Sequence, residues 1–127
     1  FALPIDYEVG TDIAVEVIYV VNEAYSLQSA EVRWTLDWEF CNQSSPINSA
    51  STPLNSGDLA ISDVAFEQMN YLFTIDGETS DYELNSSCFI GCDLIRATLT
   101  NGNNPTATVY LLGVRIWYWA YPFAYLD

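Results

Sequence analysis

Carboxylates are the most abundant ionisable side chains of this sequence. Seventeen Asp and Glu residues face three Arg, without any Lys or His, so the formal net charge is −14. Asp37 and Glu39 lie two residues apart, a spacing that a glycosidase can use for its two catalytic carboxyl groups. The solvated side of a strand produces the same spacing far more often, and we favour that interpretation. The absence of His removes the commonest general base and zinc ligand.

Other patterns that carry chemistry are missing or weak. The sequence has no Ser/His/Asp set, no Cys/His pair and no glycine-rich phosphate loop. The acidic segment 76–83 offers oxygen ligands for calcium but lacks the spacing of an EF-hand, so a solvated loop is the preferred interpretation. Glycosylation sequons begin at Asn42 and Asn85, where they have meaning only in a glycosylating host. We therefore predict a protein that is not an enzyme, with no catalytic residues, cofactor or metal.

The three cysteines, Cys41, Cys88 and Cys92, permit at most one internal disulfide. On a strand, Cys88 and Cys92 would lie about 13 Å apart, too far for a bond between them. A bond from Cys41 to either of the others stays open. The preferred interpretation is three buried thiols that act as small apolar side chains.

Charge and hydropathy exclude two classes of partner. Three scattered arginines cannot neutralise a run of phosphates, so we expect no nucleic acid and no anionic membrane surface as partner. The apolar stretch 107–126 has the length of a membrane span. Arg115 lies in its middle, Pro122 interrupts it, and its residues are mainly Val, Ile, Tyr and Trp. This stretch is therefore interpreted as a long strand rather than a membrane helix.

Two-residue periodicity predicts strands along most of the chain. It is strict over 32–40, where apolar residues alternate with charged or polar ones. A second apolar face runs over 13–21, and the polar segment 22–29 predicts a hairpin that joins the two strands. Weaker strands are expected over 59–66 and 71–75, the former with a helical turn over 62–69 as an alternative.

The sequence also predicts two loops, two further strands and the fold class. A long polar loop is expected over 42–58 and an acidic loop over 76–87. Strands over 88–99 and 106–119 flank a turn at 101–105, and the last strand is apolar on both faces, which predicts burial in the sandwich interior or at a subunit interface. The fold class is an all-β antiparallel β-sandwich, jelly-roll-like, in one domain over residues 1–127.

The end of the chain is unusually aromatic. Such a stretch is more consistent with packing against a neighbouring subunit than with exposure to water. An internal core and a ligand platform are the alternatives. The predicted interface residues are Trp117, Trp119, Tyr121, Phe123 and Tyr125.

Two stretches resemble β-structured virion proteins of tailed bacteriophages. Residues 3–17 match the start P-x-D-Y-x-x-G-T-D-I-x-V-x-V, and a V-x-W-x-L-x-W strand follows at 32–38. Near the end, an Arg-bearing strand at 94–96 precedes a polar turn and the closing L-L-G-V-x-I-x-Y strand at 111–118. Segment 42–88 matches nothing in the family, Arg115 replaces the usual acid, and the aromatic tail is additional.

This resemblance implies a non-enzymatic domain on the outer, extracellular surface of a virion. It also implies a homotrimer that contacts capsid or fibre proteins, as a head-decorating (cement) protein or a fibre part. Two other classes compete with it. One is a receptor- or carbohydrate-binding module, in which exposed aromatic rings stack on sugars. The other is an extracellular filament subunit that donates segment 1–9 to a neighbour's sheet.

Overall fold

The computed structural model describes residues 1–25, 30–42, 46–49, 53–100 and 108–121. Its named secondary-structure elements are eight strands. They are β1 (Ile13–Val21), β2 (Glu31–Cys41), β3 (Asn48–Ser49), β4 (Leu54–Asn55), β5 (Leu59–Ala60), β6 (Met69–Ile75), β7 (Phe89–Ala97) and β8 (Val109–Trp117). The long strands coincide with the segments of two-residue periodicity, whose alternate side chains suit a sheet with one buried face.

The strands form two antiparallel sheets. The first sheet has the order β6-β1-β8. In the second, β2 pairs with β7 along one edge and with the short strands β3, β4 and β5 along the other. The predicted all-β antiparallel class is therefore confirmed, whereas the jelly-roll topology stays a prediction.

The core lies between the inner faces of β1 and β2. Alternate residues of both strands are buried, as their periodicity requires, and Trp34 and Trp38, on the apolar face of the alternation over 32–40, are core residues. The Tyr19 and Trp34 rings meet edge to face with centroids 5.3 Å apart, which ties one sheet to the other. The buried apolar residues of the two strands are Ile13, Val15, Val17, Tyr19, Val20, Val21, Val32, Trp34, Leu36, Trp38 and Phe40.

The predicted hairpin between the first two strands is wrong. β1 lies in the first sheet and β2 in the second, so the two strands do not pair with each other. Each strand carries a complete apolar face, and two such faces bury each other better across a sandwich than side by side. The alternation of apolar and polar side chains determines which face of a strand is buried, but it does not determine which strand pairs with it.

Two further predictions need correction. The polar segment 42–58 contains short strands, because β3 and β4 pair with the edge of β2. The three thiols are free, but only Cys88 is buried, whereas Cys41 is half-buried and Cys92 is exposed. Cys92 points toward the inner face beside Trp38, yet β7 is the last named strand on that side and leaves it uncovered.

The N-terminal segment 1–8 packs on both sheets of its own chain. Leu3 donates its N–H to the Cys88 carbonyl (3.0 Å), alongside β7. Glu8 donates to the Trp119 carbonyl (2.8 Å), just beyond β8. Leu3 and Tyr7 are buried in the core. Donation of this segment to a neighbour would therefore require these contacts to be broken first.

Candidate functional site

Strand β8 and the residues after it expose a large apolar surface. Among the described residues, 17 large hydrophobic side chains are exposed, and eight of them lie between Tyr110 and Tyr121. We call these eight the β8 surface. Its members are Tyr110, Leu111, Leu112, Val114, Trp117, Tyr118, Trp119 and Tyr121.

The exposure of β8 follows from its place in the sheet. It pairs with β1 on one side, and no strand among the described residues pairs with its other side. The expectation that both faces of this strand are buried within the sandwich is therefore wrong for the single chain. Apolar patches of this size on a soluble domain mark sites of interaction.

The register of β8 distributes the surface over both faces of the sheet. Val114 pairs with Val17 on the inner face, while Trp117 pairs with Ala14 on the outer face. The register shifts between Ile18 and Tyr19, so that Leu112 is an extra residue on β8. The β8 surface is thus a two-sided apolar edge rather than a flat patch.

The electrostatics of this region differ from those of the rest of the chain. Residues 108–121 contain no Asp or Glu and one charge, Arg115. The 17 acids all lie elsewhere in the sequence. A partner with many acidic groups is therefore repelled by most of the protein and least by this surface.

A buried carboxylate fixes the orientation of Trp117. The Trp117 Nε1–H donates to Glu16 Oε2 (2.9 Å), and Asn70 Nδ2 donates to Glu16 Oε1 (2.6 Å). The Arg115 Nη1 atom lies 3.6 Å from Glu16 Oε2. The Arg115 Cζ atom lies over the Trp117 ring, 5.5 Å from its centroid. These contacts hold an exposed indole in one position before any partner arrives.

The same contacts lower the pKa of Glu16. Hydrogen bonds from Trp117 and Asn70 stabilise the carboxylate, and the nearby Arg115 charge acts in the same direction, against the opposing effect of burial. The ionised carboxylate therefore stabilises the folded chain at neutral pH.

Glu16→Gln is expected to destabilise the fold at neutral pH and less so in acid. Because the folded pKa lies below the unfolded one, the stabilisation by ionised Glu16 is complete above the unfolded pKa and disappears as the pH falls through the folded pKa. Urea unfolding at a series of pH values should show the difference between natural and variant chains shrinking toward low pH. Trp117→Phe, which removes one donor and keeps an aromatic ring, should partly reproduce this trend. A difference independent of pH would contradict the assignment.

A cleft lies beside Trp117 on the outer side of the first sheet. Its volume is about 410 Å³, and it is lined by three aromatic residues, Asp12, Ala14 and Thr74. The aromatic residues are Trp117, Tyr118 and Trp119. Aromatic walls with a few polar groups are typical of small-ligand sites.

The acidic pair considered for glycosidase chemistry lies elsewhere, on the second sheet. Asp37 and Glu39 are exposed on its outer face and line a groove of about 470 Å³ together with Asp93. Asp93 is directly opposite Asp37 in the register, and like charges in that position repel each other. The arrangement fits a solvated face, as preferred from the sequence. Among the described residues, no three His, Cys, Asp or Glu side chains are grouped to hold a metal ion.

Three of the five predicted interface residues are exposed on the β8 surface: Trp117, Trp119 and Tyr121. Phe123 and Tyr125 lie outside the described residues, as does the predicted turn at 101–105. Sequence reasoning missed Tyr110 to Val114 as members of the surface and Glu16 as the support of Trp117. The first omission had a signal, namely that both faces of β8 are apolar.

Comparison with known proteins finds no matching protein-family model, no similar curated protein and no similar solved structure. In the part of the chain that the structure describes, no helix is long and apolar enough to cross a membrane.

Proposed function

We propose that this chain is a structural protein of a tailed-bacteriophage virion that acts by self-assembly and adhesion on the outer surface of the particle. The observation that carries the proposal is the β8 surface, an acid-free apolar edge on an otherwise strongly acidic domain. The resemblance of the sequence to virion proteins supplies the biological setting. The proposal assigns no catalytic, cofactor-binding or metal-binding residue.

Assembly and solubility have separate physical origins in this proposal. Apolar side chains of the β8 surface gain roughly 25 cal/mol for each Å² that leaves water. The acidic remainder of the domain repels neighbouring particles and keeps them dispersed. The same charge disfavours contact with packaged DNA, which supports an outward position. A head-decorating (cement) role and a fibre role both satisfy these conditions.

The native mass of the purified chain tests the proposal. Light scattering at low and at high salt should detect a discrete oligomer at one or both conditions. Higher salt should favour the oligomer, since it screens repulsion between chains of charge −14. A monomer at both conditions would overturn the proposal. The resemblance predicts a trimer, so the number of chains is informative in its own right.

A second candidate function, a receptor- or carbohydrate-binding module, is favoured by the cleft beside Trp117. Its aromatic walls can stack on the apolar face of a sugar ring, while Asp12 and Thr74 accept or donate hydrogen bonds. Saturable binding of a soluble oligosaccharide that is lost in Trp119→Ala would support this function. Binding by a monomeric chain would favour it over assembly.

A further inference from the structure

We propose that β8 pairs antiparallel with β8 of a second copy, joining two three-stranded sheets into one six-stranded sheet. This inference rests on the proposed self-assembly and specifies its geometry. Antiparallel pairing of a strand with its own copy is isologous, so it produces a two-fold dimer.

Among the described residues, no strand occupies the edge of β8 that faces away from β1. Asn22 donates its N–H to the Thr108 carbonyl (3.2 Å), whereas the Val21 carbonyl accepts from Phe66 (2.9 Å) on the opposite side of β1. Successive residues of a strand direct their backbone groups to opposite edges. The even-numbered residues of β1 therefore bond to β8.

This alternation identifies the groups at the free edge. Glu16, an even-numbered residue of β1, pairs with Arg115, whose N–H and C=O therefore point toward β1. The N–H and C=O groups of Val114 and Ile116 must then point away from β1. An exposed edge of this kind is a template for a further strand.

The side chains of β8 favour pairing with a strand of the same character. Half-exposed aromatic side chains expose about 100 Å² each, since a whole one buries about 150–250 Å². The five aromatic members of the β8 surface therefore expose roughly 500 Å², and Leu111, Leu112 and Val114 add to this area, which approaches one partner's share of about 800 Å² in a standard interface. Edge pairing brings the side chains on both faces of β8 into lateral contact with those of the second copy, whereas stacking of one face on a partner leaves the side chains of the other face without a contact.

Charge also selects a second copy of this edge. Residues 108–121 carry only Arg115, so two β8 edges approach each other without facing acids. A two-fold axis at Val114 places Arg115 opposite Gly113 of the second copy. Because glycine has no side chain, the Arg115 side chain has space at that position. An axis at Arg115 would place two guanidinium groups directly opposite each other, which is unfavourable.

The other long edge strands are less suitable. β6 exposes Asn70 and Thr74 on either side of Leu72, so its exposed side chains are more polar than those of β8. The edge of β7 is already occupied at its start, where Ala2 pairs with Phe89. Asp93 adds a negative charge to the remainder of that strand.

Val114→Pro tests the pairing, with Val114→Ala as the matched control. Both variants remove the valine side chain, which is half-exposed, but only proline removes the edge N–H. Proline is tolerated in an edge strand where its nitrogen faces solvent, so the pairing of β8 with β1 should persist. We expect sedimentation analysis to show dimers for Val114→Ala and about hundredfold weaker association for Val114→Pro. Because of the two-fold symmetry, proline removes one hydrogen-bond donor from each copy and places its ring at the interface in both.

Hydrogen exchange in the natural chain provides a measurement that does not depend on the variant folding. The amides of Val114 and Ile116 should be protected at high protein concentration and exchange rapidly on dilution. The Arg115 amide, which faces β1, should stay protected at both concentrations. Rapid exchange of the first two amides in the oligomer would overturn the edge pairing.

The outcomes separate this inference from the function on which it rests. A dimer sensitive to Val114→Pro supports both. A trimer, or an oligomer equally stable in Val114→Pro and Val114→Ala, supports self-assembly and overturns the edge pairing. A chain that is monomeric at all salt concentrations overturns both.

Discussion

Replacing Trp119 and Tyr121 together by serine is expected to convert the assembled protein into monomers without unfolding it. The two side chains are 67% and 51% exposed, so the single chain loses little packing when they are removed. In the proposed pairing both side chains lie toward one end of the β8 edge, where loss of an interface aromatic side chain is expected to cost about 1 kcal/mol or more for each chain. In a symmetric assembly every substitution acts once per chain, so the combined loss should exceed a hundredfold in the association constant.

The backbone contacts at these two positions make the experiment selective. Trp119 accepts a hydrogen bond from Glu8 through its carbonyl, and Tyr121 donates to Asp6 through its N–H. Both bonds survive a change of side chain. The N-terminal segment should therefore keep its position against the end of β8, and the melting temperature of the monomer should change by no more than a few degrees.

Phe66→Ser is the control for this double variant. Phe66 is 60% exposed and lies between β5 and β6, away from the β8 surface. Its replacement removes a comparable exposed aromatic side chain without touching the proposed interface, so light scattering should give the natural mass. Loss of assembly in Phe66→Ser, or its retention in the double variant, would contradict the assignment of the interface. Unchanged assembly with lost sugar binding in the double variant would instead favour the cleft as the functional site.

The strands were largely predictable because their burial follows a local rule. Alternation of apolar and polar side chains over 32–40 is visible in the sequence and corresponds to the buried and exposed faces of β2. The sheet to which each strand belongs is not local information. The long partner strands of β1 and β2 lie more than 40 residues distant, with Phe73 opposite Val15 and Leu94 opposite Leu36, and no pattern within either strand encodes that choice.

The candidate site was predictable to a similar degree. Aromatic residues at the end of the chain are conspicuous in the sequence, and their exposure agrees with an interface. Their support by Glu16 required the fold, since Trp117 and Glu16 are 101 residues apart. The exposure of β8 on both faces could also be seen only in the fold, because a strand in a core and a strand at an unpaired edge can have the same apolar sequence.

Gly77→Ala is expected to be the most destabilising glycine-to-alanine substitution among the described residues. A methyl group at Gly77 would lie 1.9 Å from the Thr11 carbonyl oxygen and 2.7 Å from the Gly10 carbonyl carbon. Both atoms belong to the backbone, which cannot move aside as a flexible side chain can. Two hydrogen bonds further restrain the close approach of Gly77 to the backbone of residues 10–11. The Gly77 N–H donates to Asp12 Oδ1 (3.1 Å), and the Gly77 carbonyl accepts from the Leu84 N–H (2.8 Å).

The structure can respond to the added methyl group in two ways, and these set the expected loss of folding free energy. Either the loop after β6 separates from the turn before β1, with loss of its hydrogen bonds, or the backbone distorts. Overpacking alone costs about 1–3 kcal/mol, and two lost buried hydrogen bonds add about 1 kcal/mol each. We therefore expect the free energy of unfolding to fall by about 3 kcal/mol or more, and the melting temperature by roughly 10 °C.

Gly113→Ala separates this steric effect from the general effect of adding a methyl group to glycine. A Cβ at Gly113 meets no atom within 4 Å, and alanine restricts the unfolded chain, so stability should stay within about 0.5 kcal/mol of the natural value. Both substitutions are best measured in the monomeric double serine variant, because Gly113 lies in the proposed dimer interface and association would otherwise contribute to the unfolding energy. Equal stability of the two variants would mean that segment 76–84 does not lie against residues 10–11. The end of the sandwich that positions Asp12 and the cleft beside Trp117 would then be arranged differently.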